Sequence, residues 1–475
     1  MIRPVLVLAI AALLVPPCFR VSIAASQSAP APSERPLGEW RQYASAADAG
    51  YDAAELARIR TFAEQSGSAA VLLVQHGRVV FAWGDPSQRF RTASIRKSLL
   101  SLMFGAPAVR STIRLDRSLA DLGIDDLQPL TVQERSATVE QLLAARSGVY
   151  HPAAFEPASM TANRPARGSA APGSSWFYNN WDFNALSTIY QRQTGMDVFE
   201  GFRSTLSTPL GLEDFRPQDG VFVREPHRSR HPAYEFRLSA RDLARIGQLV
   251  VQNGRWDGHD VVSSEWLGDS LRVRTPFNQG GGYAYLWWID AARFRARGHE
   301  FPRLDAVRDI AATGLGEQQL LIVPSLNFVL VHLTYGDGPD VAESLAYRLA
   351  ELVLQARRAD PAPGAATIAV APQRFANERQ AYVDRVAMPI SGNREEFAGH
   401  YEVTPAIRAT ITVVDGALFI DMPGRGEAEL FQEAADRFFL KVADVVLTFE
   451  RDAAGAVQAV RVTDRGRTMR AAKVQ

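Results

Sequence analysis

At 475 residues, with 47% hydrophobic and 22% charged side chains, the chain has the composition of a soluble globular protein long enough for two or three domains. Lys plus Arg and Asp plus Glu balance at 52 each, so no global field steers the chain to nucleic acid or to an anionic membrane, and no nucleic-acid partner is expected. A single cysteine, Cys18, excludes a disulfide framework.

The first 25 residues, MIRPVLVLAIAALLVPPCFRVSIAA, carry one early arginine, an apolar stretch from Pro4 to Val15 and small residues around Ala24, the layout of a secretory signal peptide. Roughly 12–16 apolar residues fall short of the ~20 that a spanning helix needs. The expectation is a secreted or periplasmic protein with no membrane span once the leader is removed. Cys18 lies inside that leader, and Pro17 before it lacks the small side chain that precedes a lipid-modified cysteine. The mature chain then has no thiol, so cysteine catalysis is excluded as well. Residues 26–38, SQSAPAPSERPLG, have the composition of a tether.

Residues 39–356 read as one α+β domain. DAAELARIRTFAEQSG has helical spacing and ends at Gly67; AAVLLVQ and RVVFAWG are β-rich runs joined across His76-Gly77. Residues 94–270 are mostly helical or loop, with capping pairs Thr138/Gln141 and Ser239/Asp242. GYAYLWWID at 282–290, LLIVPS at 320–325 and NFVLVHLTY at 327–335 read as strands, followed by a helix in DVAESLAYRLAELVLQARR. Strands therefore come from both ends of the domain, and the economical reading is a split antiparallel sheet, flanked by helices, enclosing a helical insertion. Residues 357–394 read as a linker. From 395 to 475, short runs with closely spaced turn signals predict a small all-β sandwich or barrel.

Lysine usage singles out one stretch, RTASIRKSLLSL at 91–102. Only Lys97, Lys441 and Lys473 are lysines, so Lys97 is the one lysine before position 441 in a chain that otherwise uses arginine. Ser94 stands three residues before it, and i,i+3 residues on a helix are about 5–6 Å apart between Cβ atoms, close enough for a hydrogen bond. A serine hydroxyl becomes a nucleophile when a neighbouring base takes its proton; a lysine of lowered pKa can be that base, and an arginine, always protonated, cannot. The plainer alternative is a surface lysine beside a helix-capping serine.

A second stretch, PGSSWFYNNWDFNALSTIYQRQTG at 172–195, sets Tyr178 and Asn180 in a Y-x-N arrangement before an apolar helical run. Ser94-x-x-Lys97, then Tyr178-x-Asn180, then Ala312-Thr313-Gly314 followed by strands resembles the penicillin-binding-protein and class C β-lactamase family of serine hydrolases, in order and in spacing. LLAARSGV, LSARDLARIGQLVVQNGRWDG and YAYLWWID resemble further family segments, and the resemblance covers residues 40–356; the C-terminal part resembles a small β-rich domain that often trails such hydrolases. The resemblance implies a β-lactamase-like fold with Ser94 as nucleophile, Lys97 as its base and Tyr178 as a second proton carrier. It also implies that Asn180 orients Lys97 and the substrate amide, that Thr313 and Gly314 belong to the substrate-binding strand, and that the N–H groups of Ser94 and Leu315, the latter on the strand just after the third motif, form an oxyanion hole. Each residue has a bland alternative: Tyr178 in an aromatic cluster with Trp176, Phe177 and Trp181, Asn180 as a helix cap, Thr313-Gly314 as a strand-end turn.

The pattern departs at Ala312, where the family's β-lactamases and transpeptidases carry a cation that helps bind the substrate carboxylate. Arg308, four residues earlier at about 3.3 Å each, is too far along the strand to replace it. Neutral esters or amides are therefore expected as small-molecule substrates, cell-wall-derived ones included, as in the family's esterases and nylon-oligomer hydrolases. The alternatives are a true β-lactamase or D,D-peptidase and, from another class, a non-turnover sensor of cell-wall fragments. Glu317 adds negative charge if it faces the site and otherwise points to solvent. No cofactor is expected; His227 and His231 in PHRSRHPAY have no carboxylate at zinc-site spacing, so no metal is expected either. Trp287-Trp288 reads as strand core on one side and cleft wall on the other. The oligomeric state is left open.

Overall fold

The computed structural model describes residues 40–295, 300–335, 344–370, 385–404, 407–423, 426–464 and 466–474; the expected leader and tether lie outside them.

A ten-stranded mixed sheet organises the larger part. Its strands are β1 (Arg41–Tyr43), β2 (Ala70–Gln75), β3 (Arg78–Gly84), β4 (Thr275–Pro276), β5 (Gly282–Tyr283), β6 (Trp288–Ile289), β7 (Ile310–Gly314), β8 (Gln318–Val323), β9 (Phe328–Leu333) and β10 (Thr367–Ala369). They lie in the order β4-β5-β6-β7-β8-β9-β2-β3-β1-β10, so the β2–β3 hairpin joins the late strands through β9. This is the split sheet read from the sequence, antiparallel as expected except where β1 runs parallel to β3. β2 and β3 turn at His76 and Gly77, both at positive φ (49° and 72°), the conformation that a two-residue hairpin with the natural strand twist requires. Every residue of β2, β8 and β9 is buried, which explains their continuous apolar runs.

Five helices matter for the site: α1 (Ala53–Gln65), α2 (Ile95–Phe104), α3 (Asn180–Thr194), α4 (Ala240–Val251) and α5 (Leu345–Ala356). α1 and α5 pack on each other, α4 lies against β8, β9 and β2, and α2 reaches β7 and β8. All ten residues of α2 are buried, so the helix that carries Lys97 is a core element. Both expected caps form. Thr138 and Gln141 make a reciprocal capping box, whereas Ser239 caps Asp242 but the Asp242 carboxylate turns to the Glu213 and Asp214 amides instead.

Two readings are corrected. GYAYLWWID is not one strand: Leu286 takes φ 64°, and the segment folds into the β5–β6 hairpin, with Tyr283 paired to Trp288. The stretch read as linker contributes Thr367–Ala369 to the sheet edge as β10, paired with β1. Near its other end, Met388 and Ser391 amides donate to Gln432; residues 371–384 lie outside the described part. The last eight strands, from Gly399–Thr404 to Arg467–Val474, form a closed barrel with its own core around Phe397, Tyr401, Phe438 and Phe449. Closure removes the sheet edges that a small sandwich would leave open.

Candidate active site

Ser94 stands at the N-cap position of α2, just after Ala93 at φ 47°, and yet its side chain caps no first-turn amide. The hydroxyl is turned to Lys97 instead: Lys97 Nζ lies 2.8 Å from Ser94 Oγ and 2.8 Å from Tyr178 Oη. Lys97 is 2% exposed, which excludes a surface lysine beside a capping serine. Its Nζ sits 4.2 Å from the centre of the Tyr178 ring and 4.7 Å from that of Phe183. The same contacts join Oγ, Nζ and the phenol oxygen in one hydrogen-bonded line, a geometry able to relay protons where the amine is neutral.

Tyr178 precedes α3, and its ring is walled by aromatic partners other than those suggested by its sequence neighbours. Phe183, Trp288 and Tyr283 stand 5.0, 5.3 and 5.9 Å from it, centre to centre. Trp181 is directed away, with its Nε1 on Asp126, and Phe177 packs on Tyr150. The β5–β6 hairpin is what delivers Tyr283 and Trp288 together. Trp287 is buried and Trp288 lines this wall, as the pair's alternation predicts. Trp176 and Phe277 extend the same apolar surface.

Asn180 is the first residue of α3, and the cap is its neighbour Asn179, whose side chain accepts from the Trp181 amide. Asn180 Nδ2 donates to the Phe155 carbonyl at 2.7 Å. Its Oδ1 is buried and receives no hydrogen bond among the described residues. The residue is thus held by Phe155 and not by Lys97, and it presents an oriented acceptor. Phe155, at φ 57°, had no signal in the sequence as part of the site. Phe183 could have been found, because it stands three residues after Asn180 on the same helix face.

β7 brings the third motif alongside. A Cβ at Gly314 would lie 2.5 Å from the Thr92 carbonyl oxygen and 3.0 Å from Ala93 Cβ, so the strand end runs directly against the two residues before Ser94. Thr313 precedes it in β7, paired with Gln319. Ala312 is fully buried in the main core, and apolar packing occupies the place where the resemblance puts a cation. Arg308 lies before β7 and donates to the Leu271 carbonyl. Leu315 is not on a strand: it opens the turn between β7 and β8, with its side chain 74% exposed. Glu317, at the end of that turn, neither faces Ser94 nor points to solvent; its carboxylate accepts from the Ser344 and Ala346 amides at the start of α5.

The turn is pinned from β9. His332 Nδ1–H donates to the Glu317 carbonyl at 2.7 Å, Ser68 Oγ donates to Nε2 at 2.9 Å, and the Thr334 hydroxyl donates to the Gly316 carbonyl. Burial pushes the His332 pKa from the usual 6.5 down to about 4. A histidine depressed in the folded state contributes stability that is present above pH 6.5 and lost as the pH falls towards 4, about 3 kcal/mol at 1.36 kcal/mol per pH unit. His231, also lowered to about 4, acts in the same sense, whereas Asp242 and Asp309, raised by burial to about 7, oppose it. The stability difference between wild type and His332→Gln, read from urea unfolding, isolates the residue; it should shrink by about 3 kcal/mol between pH 7 and pH 4. A difference that stays constant with pH would contradict this account.

The other histidine of PHRSRHPAY, His227, lies 3.7 Å from Glu427, and His231 hydrogen-bonds Thr188.

A model of the beta-lactamase family matches residues 56–355. A second model, described as a domain of unknown function, DUF3471, matches residues 387–473. Among solved structures the chain is similar to SurE, at 18% identity and TM-score 0.46 over 89% of this chain and 98% of that one. It is similar also to an octameric penicillin-binding protein homologue from Pyrococcus abyssi, at 17%, 0.48, 89% and 100%. A class C beta lactamase from Rhodobacter sphaeroides matches at 17% and 0.47 over 64% and 99%.

Proposed function

The chain belongs to the beta-lactamase family of serine hydrolases, and from that premise we propose that it cleaves a neutral ester or amide through an acyl-enzyme on Ser94. The observation that carries the reading is the placement of Lys97 Nζ at 2.8 Å from both Ser94 Oγ and Tyr178 Oη. Ser94 Oγ attacks the carbonyl carbon as its proton passes to neutral Lys97. The resulting oxyanion is met by the N–H groups of Ser94 and Leu315. Tyr178 gives its proton to the leaving oxygen or nitrogen and recovers one from Lys97, and water, activated by the same groups, then releases the acid. Thr313 and Gly314 line the acyl group, and the free Oδ1 of Asn180 accepts from a substrate N–H.

Ala312 and the wall of Trp176, Tyr178, Phe277 and Trp288 favour uncharged, apolar groups over a carboxylate-bearing β-lactam or D-Ala-D-Ala stem. On this reading the leader places the enzyme in the periplasm or outside the cell. The test is a fluorophosphonate label followed by peptide mapping, with p-nitrophenyl esters and a chromogenic cephalosporin as substrates and Ser94→Ala as control. Labelling at Ser94 with ester turnover and little cephalosporin turnover is the expected result. Rapid cephalosporin hydrolysis would favour a β-lactamase, stable acylation without turnover would favour a sensor, and no labelling at Ser94 would end every reading that uses it.

A further inference from the structure

Two residues before Thr92, the chain makes a two-residue ladder, Phe90–Arg91 against Arg237–Leu238, in which Arg91 stands opposite Arg237. Like charges directly opposite one another on a ladder repel, so this pair needs acceptors. Glu235 takes one side of Arg91. The barrel supplies two more: Arg237 Nη2 donates to the Lys441 carbonyl and Arg91 Nη1 to the Val442 carbonyl, each at 3.0 Å. Lys441 and Val442 lie in the turn between the barrel strands Arg437–Phe439 and Val445–Arg451. The side chain of Val442 packs with Phe155 on Val221, Val223 and Ala233.

Phe155 links that turn to Asn180. The Arg91 guanidinium lies 5.1 Å from the centre of its ring, its amide donates to Glu225 Oε1 at 3.0 Å, and its carbonyl is the acceptor that holds Asn180 Nδ2. A phenylalanine at positive φ persists only where its surroundings over-determine it. The same turn therefore supports both ends of the site, the strand that runs through Thr92 and Ala93 into Ser94 and the residue that orients Asn180.

We infer that the Lys441–Val442 turn of the C-terminal barrel is a positioning element that acts through Arg91 and Phe155 to set Ser94 and Asn180 for acylation. The inference rests on the function proposed above. It gives the trailing domain a role exerted through Arg91 and Phe155 and not by touching substrate; a p-nitrophenyl ester has no N–H for Asn180 to accept from, so with that substrate the role is read in rate.

The test uses the full chain. Val442→Lys sets a cation against Arg91 and Arg237 in an apolar seat and should expel the turn; Val442→Ile keeps the packing. Glu429→Gln weakens the Arg224–Glu429 ion pair, a second contact of the barrel that does not touch Phe155. Val442→Lys should lower kcat for a p-nitrophenyl ester, and the rate of Ser94 labelling, at least tenfold with KM within twofold of wild type. Val442→Ile and Glu429→Gln should stay within twofold. Should Val442→Lys fail to fold, Val442→Ala, expected to lose three- to tenfold in kcat, decides the matter. A folded Val442→Lys or Val442→Ala with wild-type kcat overturns the inference, and so does an equal loss in Glu429→Gln, since that marks general destabilisation. If Ser94→Ala abolishes turnover while the Val442 variants remain at wild-type rates, only this inference falls; if Ser94→Ala retains turnover, the proposed function falls first.

Discussion

Lys97→Arg is expected to lower kcat/KM for an ester substrate by about 10³-fold or more, as far as Ser94→Ala lowers it, because groups that act as one unit do not lose activity additively. The guanidinium keeps the positive charge and the hydrogen-bonding capacity but cannot give up its proton at any working pH. A role in charge or in packing would leave much of the activity; a role as base leaves none. Arginine is also larger than the fully enclosed site of Lys97, and overpacking typically costs about 1–3 kcal/mol. Lys97→Met, which keeps the length without the amine, separates the two effects and should be as inactive as the arginine variant. The measurement is kcat/KM together with the rate of fluorophosphonate labelling at Ser94, and more than a tenth of wild-type activity in Lys97→Arg would refute the assignment of Lys97 as base.

Gly314→Ala is expected to lower kcat about 10²-fold with a small change in KM. No left-handed backbone is required at this position; the obstacle is space, since the new methyl would lie 2.5 Å from the Thr92 carbonyl and 3.0 Å from both Ala93 Cβ and Gln318 Cβ. Two of those three neighbours are the residues that lead into Ser94. Either β7 moves away, carrying the Leu315 N–H with it, or the nucleophile is pushed out of line. Losing one oxyanion donor typically costs about 10²–10³ in rate. Acylation measured in single-turnover experiments should carry the whole loss, and a variant within threefold of wild type would show that the third motif does not depend on this close approach.

Much of the site is legible in the sequence because its signals are local. Ser94 and Lys97 meet because they are three apart on one helix, and a lone lysine among arginines marks the pair by residue type alone. The β2–β3 hairpin follows from His76-Gly77, and an all-β C-terminal part from closely spaced turn signals, which left sandwich and barrel open until the structure showed closure. The misreadings share a cause as well. Leu286 takes a positive φ without being glycine, so nothing in GYAYLWWID announces the turn that makes it a hairpin. Thr367–Ala369 has linker composition and becomes a strand only because β1 offers an edge. Asn179 and Asn180 are both good caps, and only the position of the first helical hydrogen bond separates them.

The sequence by itself singled out the residues of the proposed attacking end, since a serine, a lysine three residues on and a tyrosine further along are legible from residue type, order and short spacing. The tertiary structure alone decided what surrounds that end. Trp288 and Tyr283 reach Tyr178 through a turn with no local signal, Phe155 reaches Asn180 across 25 residues, and Val442 reaches Arg91 across 351. Contacts of that separation come from the packing of finished elements against one another, which no window of sequence contains.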